Sequence, residues 1–183
     1  MYSDSYSLIQ RLLHWAIAVV VLALLAGGLL IGQLGFDGLK AAFGQSFTNL
    51  IYNLHKSFGV LVLGLMICRV LVRLLIGKPD YSEPLPAPTR IASEAVHGLL
   101  YVCLIAMPLL GWFATASGGF PVEFFSSRLP GLIGVDKELS KTLFQLHEWT
   151  AYVILAAVGL HIAGGLFHWL VLKDRIMGRI SLF

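Results

Sequence analysis

Six histidines are the residues best able to do chemistry in this sequence: His14, His55, His97, His147, His161 and His168. Each sits in a stretch that is otherwise almost wholly apolar. The segment "LHEWTAYVILAAVGLHIAGGLFHWL", from Leu146 to Leu170, carries three of them. Ionisable groups are expensive in lipid and mark function by default. One such imidazole bonded to a backbone carbonyl would be ordinary packing. Six of them, spread over four apolar segments, point to a shared ligand. From His147 to His161 is fourteen residues, or about 21 Å of helix. Fourteen steps of 100° return to within about 40° of the same face, and seven more bring His168 there too. Chain direction then puts His55 and His147 at one depth. His14 can pair with His161 at the other depth, where His97 and His168 are also near. Two imidazoles on facing helices suit haem iron, which takes one axial ligand on each side of its ring. A zinc site would want three or four ligands in a tetrahedron.

Two cations and several glycines belong to the same pattern. Arg69 and Arg73 lie fourteen and eighteen residues after His55. They return to its face at the depth of the second pair, where guanidinium groups can pair with haem propionates. Gly28, Gly32, Gly59 and Gly111 either clear room for a macrocycle or allow close helix packing. Cys68 and Cys103 are read as small packing residues.

The elements that must position these groups are membrane helices. The chain has 183 residues, 57% hydrophobic and 13% charged, with a mean hydropathy of +0.81; soluble domains carry about 25% charged residues. Four segments are long enough to span, at about 8–32, 52–76, 93–116 and 143–171. The expected fold is all-α: one domain over 1–183, a polytopic four-helix bundle running up-down-up-down. The first span is too long for a signal peptide and is expected to be retained. With both termini in the cytoplasm, eight basic residues lie inside (Arg11, Arg69, Arg73, Lys78, Arg90, Lys173, Arg175, Arg179) and five outside (Lys40, Lys56, Arg128, Lys137, Lys141), which favours that orientation. The inner link "GKPDYSEPLPAPTR" cannot be helical throughout. The outer link "GQLGFDGLKAAFGQSFTN" suggests a short amphipathic piece on the membrane. "SGGFPVEFFSSRLPGLIGVDKELSK" is a long outer loop with exposed aromatics. A net charge of +3, scattered over loop ends, gives no nucleic-acid surface.

The stretches "QRLLHW", "LIYNLHKSFGVLVLGLMICRVLVRL", "HGLLYVCLIAMPLLGW" and "LHEWTAYVILAAVGLHIAGGLFHWLVLKD" together resemble the prokaryotic cytochrome b561 family, in particular its superoxide-oxidising members. The likeness runs nearly the whole chain. It implies two b haems, with His14 and His161 on the inner one and His55 and His147 on the outer one. Spacing alone leaves His168 open as a mate for His14. The resemblance also implies a quinone site near His168 and His97.

The expectation is therefore a dihaem cytochrome of the bacterial inner membrane. It would carry electrons from superoxide, or a redox-protein donor, at the periplasmic face to ubiquinone at the cytoplasmic side. Lys56, Lys137, Lys141 and Arg128 could draw in an anion, although Asp136, Glu138 and Glu148 oppose them. Two rivals stand beside this reading. One is a haem-bearing subunit docked to a dehydrogenase or hydrogenase. The other is a haem-free proton or metal transporter.

Overall fold

The computed structural model describes residues 5–79 and 86–182. Three long helical elements make up most of it: α1 (Leu8–Ile76), α2 (Ala87–Ser117) and α3 (Lys137–Leu166). All three are long and apolar enough to cross a membrane, α3 being counted on to Leu172. Four separate helices were expected. The correction is that the first two expected spans belong to one element, α1. Gly35 (φ 63°, ψ −177°) and Gly44 (φ 82°, ψ 165°) leave helical geometry inside it. Only glycine reaches that region at low cost, so the chain turns at these two points and doubles back. A straight helix of this length would run roughly 100 Å. Instead Gln10 Nε2 donates to the carbonyl of Gly77, 67 residues on, at 2.8 Å. The link expected to carry a short amphipathic piece on the membrane is a helical connector, and its Leu39 and Thr48 are fully buried.

A capping box starts α1: the Gln10 amide donates to Ser7 Oγ while the Ser7 amide donates to the Gln10 side chain. Pro86 and Pro88 suit the start of α2, since the first turn of a helix needs no N–H there. Of the inner link, residues 80–85 lie outside the described residues. Asp136 caps α3, accepting from the amides of Glu138 and Leu139 at 3.0 Å each.

Two short strands break the all-helical expectation. β1 (Val122–Phe124) pairs antiparallel with β2 (Ser127–Leu129), Val122 opposite Leu129. This hairpin sits in the long loop between α2 and α3. Beyond Leu166 the chain makes a π-helical turn, Phe167–Leu172, and ends in a 3-10 turn, Met177–Arg179. The core is where the rods meet: Ile17, Val21 and Leu25 from the first limb of α1, Val62 and Met66 from the second, and Ile154 from α3, with Tyr101, Leu104 and Met107 of α2 against them. Large apolar side chains such as Leu22, Leu75, Val102 and Leu160 face outward, as lipid requires.

The two ends are tied differently. At the end carrying the termini, Arg11 Nη1 donates to the Ser181 carbonyl at 2.8 Å and Trp15 Nε1 to the Ile180 carbonyl at 2.9 Å. At the opposite end the hairpin is pinned to the second limb of α1. The Phe125 amide donates to Ser57 Oγ at 2.7 Å, Asn53 Nδ2 donates to the Phe125 carbonyl at 3.2 Å, and Lys56 is ion-paired with Glu123.

Candidate haem and electron-transfer site

The imidazoles gather at two levels. Near the hairpin end, His55 and His147 have ring centres 6.2 Å apart and planes at 78°. His147 Nδ1 lies 3.0 Å from the Met107 carbonyl. A carbonyl accepts only, so Nδ1 carries the proton and Nε2 keeps its lone pair for a ligand. His55 Nδ1 is buried without a hydrogen-bond partner. Such an orphan costs about 1–3 kcal/mol, which a bond at the other ring nitrogen can offset. A glycine on a neighbouring rod lies against each ring. A Cβ on Gly28 would stand 3.0 Å from His55 Cε1, and one on Gly111 3.0 Å from His147 Cε1. Gly32 and Gly59 have nothing within 4 Å of that position.

Near the terminal end, His14 and His161 have ring centres 6.0 Å apart and planes at 68°. His97 joins them, its ring centre 5.0 Å from that of His161. Its Nδ1 is held 2.6 Å from the Ser93 carbonyl one turn earlier, which again leaves Nε2 with a lone pair. Arg69 reaches this cluster, with Nη2 3.5 Å from His14 Nδ1, Nη1 3.2 Å from the Gln10 carbonyl and Nε 3.2 Å from the Tyr101 hydroxyl. Arg73 donates to the Tyr6 hydroxyl at 3.3 Å and lies over that ring. The tyrosines and Gln10 escaped the sequence reading even though Gln10 and Tyr101 lie one turn from His14 and His97, because what marks them is contact with Arg69 and Arg73 of another segment. They are found only once the segments are packed.

His168 stands apart. It lies in the π turn, and its polar partner is an aspartate rather than another imidazole. Its Nδ1 is 2.5 Å from Asp174 Oδ2, and Asp174 Oδ1 accepts from the Ile176 amide at 3.0 Å. Burial pushes the Asp174 carboxyl up, but those hydrogen bonds and the nearby imidazole hold it below its ordinary value. Sequence reasoning missed Asp174, because six residues is not a helical spacing and carries no periodic signal. Of the cations read as an anion funnel, Lys56 is paired with Glu123, and Lys141 with Glu138 at 2.7 Å.

The chain belongs to the prokaryotic cytochrome b561 family, which it matches over residues 5–180. It is similar to cytochrome b561 homolog 2 of Escherichia coli (strain K12), 28% identical over 97% of this chain and 94% of the relative. It is also similar to the probable superoxide oxidase CybB of Yersinia pestis, 27% identical over 96% and 94%, and to cytochrome b562 of Cereibacter sphaeroides, 27% identical over the same shares. It is thus a membrane electron-transfer protein of a family that carries b-type haem.

The residues present fit such a group. Two imidazoles on one metal need a bond of about 2 Å each plus about 1 Å from nitrogen to ring centre, so about 6 Å between centres. Both pairs have that separation. His97 and His161, at 5.0 Å, are too close to hold a metal between them. Among the described residues, no three His, Cys, Asp or Glu side chains converge on a bare metal ion.

Proposed function

We propose that this protein is a dihaem b-type cytochrome that moves electrons across the inner membrane, from superoxide at the hairpin face to ubiquinone at the face carrying the termini. In this reading the hairpin face is periplasmic and both termini are cytoplasmic. His14 and His161 hold one haem, and His55 and His147 the other. Each bound haem supplies a one-electron carrier. The chain's own work is to fix the imidazoles, through Met107 and the flanking glycines, and to meet propionates with Arg69 and Arg73. In this reading His168 and His97 serve the quinone side of the inner haem.

The observation that carries this reading is the paired imidazoles: two sets, each about one metal-width apart, on three different rods. The likeness to a relative named a probable superoxide oxidase supports superoxide as donor. The decisive test has two stages. Purified protein should show a Soret band and about two haems per chain. With the haems in place, a superoxide generator should drive ubiquinone reduction, and superoxide dismutase should abolish it. Protein without haem would leave the transporter reading, and haem-loaded protein indifferent to superoxide would remove that donor.

One feature favours a second reading, in which the chain is the cytochrome subunit of a dehydrogenase or hydrogenase. At the hairpin end Phe120, Leu132 and Val135 are 64%, 65% and 69% exposed, in a loop where water-soluble partners would dock. A second chain that co-purifies and reduces the haems would establish it.

A further inference from the structure

A roomy recess lies at the terminal end, between the start of α1 and the returning C-terminal tail. Its volume is about 560 Å³, within the range of small-molecule sites. Trp15 and Trp169 form apolar walls, Met177, Gly178 and Ser181 come from the tail, and Asp174 also lines it. The tail is held over the recess by Arg11 and Trp15, which bond the carbonyls of Ser181 and Ile180.

A carboxylate on an apolar wall is costly unless it is paired. Asp174 is paired with His168 at 2.5 Å. Exposure divides the pair: the His168 side chain is 11% exposed and that of Asp174 32%. The carboxylate is therefore the end that meets a molecule in the recess, and the imidazole stands behind it. The sequence could not place them so, because the π turn and the left-handed Lys173 (φ 53°) swing His168 back onto Asp174. π turns recur at functional sites.

We propose that this recess takes the head group of a quinone and that Asp174 is the catalytic residue that hands it protons, with His168 as the partner that stores and orients them. The proposal rests on the quinone reading above and names the residue at which the acceptor is protonated. A flat, uncharged ring with carbonyl oxygens matches two indole walls and one acid. An anionic phosphate would be repelled by Asp174. Trp169 is 58% exposed, so an isoprenoid tail has a way out into lipid beside an interfacial indole. The dyad takes one proton from water and becomes imidazolium and carboxylate, together neutral. As negative charge reaches the quinone oxygen, that proton passes through Asp174 Oδ2. A second proton from water follows the same route. Two superoxide ions, one quinone and two protons thus become two dioxygen molecules and one quinol.

The test uses haem-loaded protein, ubiquinone-1 as the probe, calorimetric binding and the rate of haem reoxidation. Asp174→Asn keeps the shape and removes the acid. It should bind ubiquinone-1 within about twofold of the parent but reoxidise at least about tenfold slower, the lower part of the range for lost acid–base catalysis. Asp174→Glu should restore most of the rate. Gly178→Leu fills the recess without touching the dyad, because a Cβ there has open space around it. It should raise KM at least about tenfold with the maximal rate kept. Asp174→Asn at the parent rate, or Gly178→Leu with unchanged KM, would overturn this proposal and leave the dihaem reading standing. Parent protein that ubiquinone-1 cannot oxidise would instead overturn the quinone reading, and this proposal with it.

Discussion

At the scale of single residues, the two histidines of the pair near the hairpin differ in how they are backed. His147 Nδ1 is fixed by the Met107 carbonyl, whereas His55 Nδ1 has no hydrogen-bond partner among the described residues. Neither has a neighbouring histidine to stand in for it, so His55→Ala or His147→Ala should each lower haem from about two per chain to about one, read by pyridine haemochrome assay. Gly111→Val is a gentler probe of the same site. Its added carbons would stand against a ring that a Cβ alone already meets at 3.0 Å, so the outer haem's spectrum should shift while the inner one's does not. Arg69 predicts the opposite selectivity. Its guanidinium is 3.5 Å from His14, and a fixed positive charge favours the reduced haem. Arg69→Ala should lower the inner potential by the equivalent of about 1–2 kcal/mol at an effective dielectric near 20, as a redox titration would show. Equal shifts in both haems would mean the charge acts on neither in particular. The fourteen-residue spacing made the histidine levels legible. Asp174 was not legible, since its partnership with His168 depends on a π turn that no apolar period encodes.

At the scale of elements, the least legible feature was the join between the first two spans. Composition marks both apolar stretches and suggests a short amphipathic piece in "GQLGFDGLKAAFGQSFTN", but gives no sign that helix runs through it from one span to the next. Glycine, a weak helix former, reads there as a loop signal, whereas the structure uses two of the glycines as corners and keeps the rest helical. That difference is measurable. Gly44→Ala puts a Cβ at φ 82° and should cost about 1–3 kcal/mol of strain. Gly32→Ala lies inside the first limb with open space around it and should be neutral or stabilising by up to about 1 kcal/mol from propensity alone. Thermal unfolding in detergent should therefore come at a lower temperature for Gly44→Ala and at an equal or higher one for Gly32→Ala. A Gly44→Ala variant as stable as the parent would mean the corner is not built on its left-handed backbone. The hairpin was hidden for a related reason. Each strand is only three residues long, too short for alternation to register, and it is held by Ser57 and Asn53 of α1 rather than by its own pattern.

At the scale of the whole molecule, the two histidine levels become a direction. The rise from His147 to His161 is about 21 Å, out of a hydrocarbon core of about 30 Å. Moving one elementary charge across the full membrane takes about 2.3 kcal/mol per 100 mV. About two-thirds of that, roughly 1.5 kcal/mol per 100 mV, should therefore act on an electron shared between the two levels. The estimate gives a test that needs neither donor nor acceptor. Protein oriented in liposomes and half-reduced should redistribute its electron when a potassium diffusion potential is imposed. With the terminal side negative, the electron should move toward the His55–His147 level by about tenfold in ratio per 100 mV, visible as exchange between the two haem spectra. The same potential opposes the proposed reaction, so a superoxide donor would have to be more reducing than a quinone acceptor by at least this amount, less whatever proton uptake on the terminal side returns. A ratio that ignores the potential would place both haems at one depth. It would also contradict the stacking of His147 above His161 on a single rod, from which the transmembrane direction of the proposed reaction follows.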